Sequence, residues 1–259
     1  MIGCIIQARV GSTRLPKKVL LPINPSETVL SFGIKQIQQS NLIDKVVIAT
    51  TDLQKDDELV EHIKKLNISL FRGNSTDVLD RYYQCAKKFS FSTIIRITSD
   101  CPLIDPIIVD EIISNFINNK NSFDYASNVH PQRTFPHGSD IEIFTFEALQ
   151  TAWKEAKKSS EREHVTPYIY NNQKFKLFNH TSKNDLSNFR WTVDYLEDLE
   201  LVRQIISRIQ ARPILIKDII TLMSENPKLK KINQIHSKNE IDNKEFLKVI
   251  QFQRRYGKN

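Results

Sequence analysis

The run Ile2-Gly3-Cys4-Ile5-Ile6, continued by Gln7-Ala8-Arg9-Val10-Gly11-Ser12-Thr13-Arg14-Leu15-Pro16-Lys17-Lys18, decides the fold. A short β-branched apolar stretch that stops at a loop carrying Gly, Ser and Pro is the pattern of a buried strand delivering a loop at its carboxyl end. Working outward, helical spacing over residues 28–39 and an apolar strand over 46–49 complete a strand, helix, strand unit. The alternation continues with a helix over 56–66, a strand over 68–71, a helix over 77–89 and a strand over 93–97. Such an order predicts parallel strands joined by crossover helices. Asp105-Pro106 opens a further helix to about 117, with Asp as its cap and Pro in its first turn, and a strand follows over 123–127.

The middle changes character. Residues 130–138 are rich in turn formers, and 140–144 alternates as a half-buried strand, so an antiparallel excursion is expected between 130 and 175. Helices over 146–157 and 162–170, strands over 175–178 and 189–193, and helices over 196–209 and 214–224 come next. The domain is expected to span 1–225, with 226–259 as a basic, peripheral carboxy-terminal extension.

A chain of 259 residues with 40% hydrophobic and 26% charged residues is globular in composition, which excludes disorder as its dominant state. No apolar stretch approaches the ~18–20 residues of a membrane span, and the amino terminus lacks a basic segment followed by a sustained apolar one, so no membrane association and a cytoplasmic location are expected. Three widely spaced cysteines fit neither a disulfide framework nor a zinc knuckle. The net charge of +7 is a property of the end of the chain, because 13 of the 37 Lys and Arg residues but only 5 of the 30 Asp and Glu lie from Arg203 onward. With little aromatic interleaving, that end reads as solvated helix faces, and no nucleic-acid partner is expected.

The loop after the first strand is different. In an open α/β sheet, ligands bind beyond the carboxyl ends of the strands. Gly11 lets backbone amides approach an anion, Ser12 and Thr13 add hydroxyl donors, and Arg9, Arg14, Lys17 and Lys18 bring four cations. The loop suits a polyphosphate, yet it contains neither G-x-G-x-x-G nor G-x-x-x-x-G-K-[ST]. Phosphate chemistry also needs a divalent ion on hard oxygen ligands. Asp100 and Asp194 each follow a predicted strand; either alone serves as well as a cap or turn residue.

The string Ile6-Gln7-Ala8-Arg9, Ser12, Arg14-Leu15-Pro16, Lys18 and Leu20 resembles the opening signature of the cytidylyltransferases that activate sugars as CMP-sugars, and is most similar to the branch named for spore-coat polysaccharide synthesis. The resemblance covers roughly residues 1–201. It implies an α/β, Rossmann-like three-layer nucleotidyltransferase fold, mostly parallel, and a homodimer paired through the 130–175 excursion. It implies that Gln7, Ala8, Gly11, Ser12 and Arg14 bind the nucleotide, the loop gripping the triphosphate of CTP, with Arg9 and Lys18 as catalytic cations. Asp100 and Asp194 become ligands of Mg²⁺; Asp198, the second acid of the same element, suits a helix dipole equally well. Arg72 and Gly73, with Asp77 beside them, become contacts to the base, although Thr76 or Asp77 also suits a helix cap. Asp140 and Glu142 share one strand face, and Arg162-Glu163-His164-Val165-Thr166-Pro167 matches a run implied to line the sugar pocket. There Arg162 would clamp a carboxylate, and His164 would bind or deprotonate a hydroxyl. Val19 stands where acylneuraminate enzymes carry Asn, and the base segment departs from that of the KDO enzymes, so neither named substrate transfers. The implied reaction joins CTP and a sugar, acidic if Arg162 holds a carboxylate, to give CMP-sugar and pyrophosphate. A glycosyltransferase on the same scaffold, disfavoured by the lack of a D-x-D element, and a non-catalytic nucleotide- or RNA-binding module are the alternatives.

Overall fold

The computed structural model describes residues 1–119 and 122–236. Strands β1 (Ile2–Gln7), β2 (Pro22–Asn24), β3 (Glu27–Thr28), β4 (Lys45–Thr51), β5 (Ser69–Gly73), β6 (Thr93–Thr98), β7 (Tyr125–Ser127), β8 (Glu142–Thr145) and β9 (Leu177–Asn179) form two sheets. The helices are α1 (Val29–Ile37), α2 (Asp57–Lys65), α3 (Val78–Lys88), α4 (Pro106–Asn118), α5 (Phe146–Glu155), α6 (Ser159–His164), α7 (Pro167–Tyr170), α8 (Leu196–Arg208) and α9 (Ile216–Glu225). The seven-stranded sheet has the order β5-β4-β1-β6-β8-β7-β9. Only β8 runs antiparallel to its neighbours, inserted between β6 and β7. The expected antiparallel excursion is therefore built into the main sheet.

Alternation along β1 explains the three layers. Cys4 and Ile6 pack into a core with Leu30 and Ile34 of α1, Ile63 of α2 and Ile112 of α4. Ile5 points the other way, onto Leu79 and Tyr82 of α3 and Leu149 of α5. Gly3 is required because a Cβ there would lie 2.2 Å from the Phe91 ring. The chain leaves β1 toward β4 on one side and returns through β6 on the other, so the β1 and β6 ends form the topological switch point where an open sheet binds ligands.

Local signals place the helices. Thr28 and Ser31 close a capping box on α1. Asp77 caps α3, accepting from Asp80 N at 2.9 Å, and Asp105 caps α4 through Ile107 N at 2.9 Å. All three cysteines are buried and free. No helix among the described residues is long and apolar enough to cross a membrane.

Three expectations need correction. Residues 189–193 form no strand, only a bridge between His137 and Arg190. The segment is instead spent on burial: Trp191 and Val193 fill a third core with α8 and α9, and Arg190 turns inward. The helix expected over 162–170 breaks at Val165, whose φ is 73°, because Pro167 has no N–H to continue the ladder and begins α7 instead. The extension is not peripheral as far as it is described. Leu229 and Asn233 are buried, and Asn233 Nδ2 donates to Arg190 O at 3.1 Å and to Asp198 Oδ1 at 2.8 Å. The rest of it, 237–259, lies outside the described residues. The β2–β3 hairpin was too short to leave a pattern.

Candidate active site

A cavity of about 420 Å³ opens at the switch point, lined by the loop residues Gln7, Ala8, Arg9, Gly11, Ser12 and Arg14, by Lys18, and by Ser99 and Asp100 beyond β6. The loop is held from behind by Asp56, fully buried, which accepts from Val10 N at 2.8 Å and from the Thr51 hydroxyl. No local pattern announces this role, since Asp56 and Val10 meet only in the fold.

Asp100 and Asp194, 94 positions apart in the chain, converge on one point. Lys18 Nζ donates to Asp100 Oδ2 at 2.6 Å and to Asp194 Oδ1 at 2.8 Å. Burial opposes the charge on Lys18, but the two carboxylates outweigh it and raise its pKa, while Lys18 outweighs burial at Asp100 and lowers that carboxyl. Arg14 Nη2 reaches the same Asp194 oxygen at 3.0 Å. The other oxygen of Asp194 takes a hydrogen bond of 3.1 Å from Arg190 Nη2.

Arg190 and Asp198 fix Asp194 from the interior. Arg190 donates to both oxygens of Asp198 at 3.0 Å, and Asp198 also accepts from Asp194 N at 3.0 Å and Tyr195 N at 3.1 Å. Asp198 is fully buried and, from the third position of α8, closes the first turn by accepting the amide of the N-cap residue Tyr195.

A second cavity of about 550 Å³ adjoins the first and shares Arg96, Thr98 and His164 with it. Asp140 and Glu142 line it, as their shared strand face predicts. Each is engaged: Asp140 by a two-pronged Arg133 at 2.6 and 2.8 Å, and Glu142 by Arg96, by Tyr125 OH at 2.7 Å and by Thr166 Oγ1 at 2.6 Å. His164 stands at the junction. Burial alone would raise the Asp140 carboxyl, but the hydrogen bonds and charge of Arg133 hold it below the usual carboxylate range. A carboxylate lowered in this way stabilises the fold above its unfolded pKa, and that contribution is lost as pH falls through the lower folded value. In chemical denaturation, the stability gap between wild type and Asp140→Asn is expected to be full at neutral pH and to close below about pH 4. A gap unchanged at about pH 2.5 would show that Asp140 is not held by charge.

Four expected contacts lie elsewhere. Arg72 lines neither cavity: it donates to Thr51 O and Leu53 O, both at 3.0 Å, and pairs with Asp57 at 2.7 Å. Gly73 and Asp77 also stand outside both linings, Asp77 being occupied with capping α3 and with Arg162. Arg162 in turn donates to Asp77 at 2.9 Å and to Trp153 O at 2.6 Å, which ties α6 to α3 and α5 outside both linings. Two cations that were missed do line the nucleotide side, Arg81 and Arg96. Their signal was an arginine within the apolar stripe of α3 and another inside the buried strand β6.

A cationic loop at the switch point of a mostly parallel sheet, with Asp100 beyond β6 and Asp194 just before α8 converging on its Lys18, defines a nucleotidyltransferase site. The chain belongs to the cytidylyltransferase family, whose model matches residues 3–239. It is 32% identical to the spore coat polysaccharide biosynthesis protein SpsF of Bacillus subtilis, across 86% of this chain and 94% of that one. A cytidylyltransferase structure from Leptospira borgpetersenii superposes with a TM-score of 0.84 at 38% identity, covering 88% of this chain and 95% of that one. The CMP:2-keto-3-deoxy-manno-octonic acid synthetase complexed with CTP shares the fold, with a TM-score of 0.62 at 17% identity over 80% of this chain and 98% of that one.

Proposed function

We propose that this enzyme joins CTP to an acidic sugar, releasing pyrophosphate, with Mg²⁺ as its cofactor. The observation that carries the reading is the meeting of Asp100 and Asp194 at the Lys18 ammonium, on the rim of the loop-lined cavity. Among the described residues no group of three or more His, Cys, Asp and Glu gathers as a metal cluster. A two-carboxylate set of hard oxygens suits magnesium, which keeps several waters and takes its remaining ligands from phosphates. Asp100 and Asp194 would hold the ion, and when bound it offsets the charge of the triphosphate.

The chain's own residues supply the rest. The triphosphate lies in the first cavity against Arg9, Arg14 and the amides near Gly11, and the sugar in the second. A sugar hydroxyl attacks the α-phosphorus in line; the new O–P bond forms as the bond to pyrophosphate breaks. His164, at the junction of the two cavities, takes the hydroxyl proton. Lys18, released from the carboxylates, joins Arg9 in stabilising the charge that builds on the phosphoryl oxygens. The enzyme's relatives, a spore coat polysaccharide biosynthesis protein and a CMP:2-keto-3-deoxy-manno-octonic acid synthetase complexed with CTP, support this choice of substrates. For the carboxylate of the sugar, Arg133 is the cation at hand, since its partner Asp140 is 37% exposed and can yield it.

Pyrophosphate release is expected with CTP and a member of an acidic-sugar panel, and is expected to stop when the divalent ion is chelated. Folded protein that releases none with any pairing of nucleotide and sugar would contradict the reading, and undiminished release after chelation would remove the metal from it.

A further inference from the structure

Arg81 stands apart among the charged groups of the described residues. It is 2% exposed on the inner face of α3, yet it lines the nucleotide cavity. Its Nη1 donates to Asn74 O at 2.6 Å, and its buried Nε has no partner. No carboxylate lies within ion-pairing distance of it among the described residues. Burial and the nearby charge of Arg9 press against its positive form, with Asp56 and Asp52 offsetting only part. Gly73 makes room for it, because a Cβ there would lie 3.3 Å from Arg81 Cγ and 2.8 Å from the Phe71 ring. In the same cavity wall, Gln7 Oε1 is also buried without a donor. A buried arginine and a buried amide oxygen with unmet hydrogen-bonding capacity are costly unless a ligand completes them.

Resting on the cytidylyltransferase reading, we infer that Arg81, assisted by Gln7, reads the Watson–Crick edge of the base in place of Arg72. Cytosine presents two adjacent acceptors, O2 and N3, beside the N4 amino donor; uracil presents N3–H and O4 instead. Arginine only donates. It therefore meets O2 and N3 of cytosine with two hydrogen bonds, but opposes N3–H of uracil donor to donor. The amide oxygen of Gln7 complements the N4 amino group. An amide can turn over to serve O4 as well, so discrimination falls chiefly on Arg81, which has no such freedom.

A guanidinium in this cavity also has the chemistry to hold a phosphate, and the test separates the two roles. Dissociation constants are measured by calorimetry for CTP, UTP and inorganic tripolyphosphate on wild type, Arg81→Ala, Arg81→Lys and Gln7→Leu. The Arg81 variants are expected to weaken CTP about 10–100-fold, the span of one two-pronged base contact, and to leave UTP and tripolyphosphate within about threefold. Gln7→Leu is expected to weaken CTP about tenfold. Should Arg81→Ala fail to fold, Arg81→Lys carries the test, since it keeps the charge and loses only the fork. Equal losses for CTP, UTP and tripolyphosphate would overturn base recognition in favour of a phosphate role. Unchanged CTP binding in either position's variant would overturn that residue's part. Wild type that does not prefer CTP to UTP would instead remove the CTP reading beneath the inference.

Discussion

A Lys18→Ala variant is expected to lose about 10²–10³-fold in turnover, with kcat and kcat/KM falling together. The size follows from where the ammonium sits. Its side chain is only 12% exposed and lies between Asp100 and Asp194, in a site where water screens little and each fixed charge acts strongly on a developing one. Arg9 and Arg14 remain to bind the triphosphate, so affinity for CTP falls less than the rate. Steady-state kinetics on the folded variant, with CTP binding measured separately, distinguishes the two. A rate within a few-fold of wild type would deny Lys18 a place in the transition state.

Replacement of Arg190 by Met carries the largest expected effect on the fold, a loss of about 3–5 kcal/mol in stability. Arg190 has a side chain 1% exposed and answers two carboxylates, one of them wholly buried. Removal of the guanidinium leaves Asp198 with its backbone donors and Asn233 but no counter-charge, and leaves Asp194 free to swing. Urea denaturation measures the first consequence. The second is a residual activity lower than the remaining folded fraction accounts for. A stability change below about 1 kcal/mol would mean that the network is not the interior anchor of the site.

What was legible in the amino acids was what local rules govern. The β1 run, the cationic loop, the capping residues Asp77 and Asp105, and the period of two that puts Asp140 and Glu142 on one face all depend on neighbours in the chain. The positions misjudged depend on partners far away. Arg162 lies outside both cavity linings, drawn to Asp77, 85 residues distant. Residues 189–193 have strand-like composition, but the inward pull of Arg190 and Trp191 overrides it. Asn233, in a stretch that composition marks as peripheral, reaches the core of the site across 35 positions. Propensity is a weak guide wherever a charge is neutralised or a large ring is buried by tertiary packing.

The central claim is that Asp100 and Asp194 act as one cation site facing the cationic loop. Crystals grown with CTP and Mn²⁺ in place of Mg²⁺ test it most directly through the anomalous signal of manganese. The account predicts a peak between the two carboxylates, with Lys18 withdrawn from them toward the phosphates. A peak at any other position, with Lys18 still bridging Asp100 and Asp194, would contradict it.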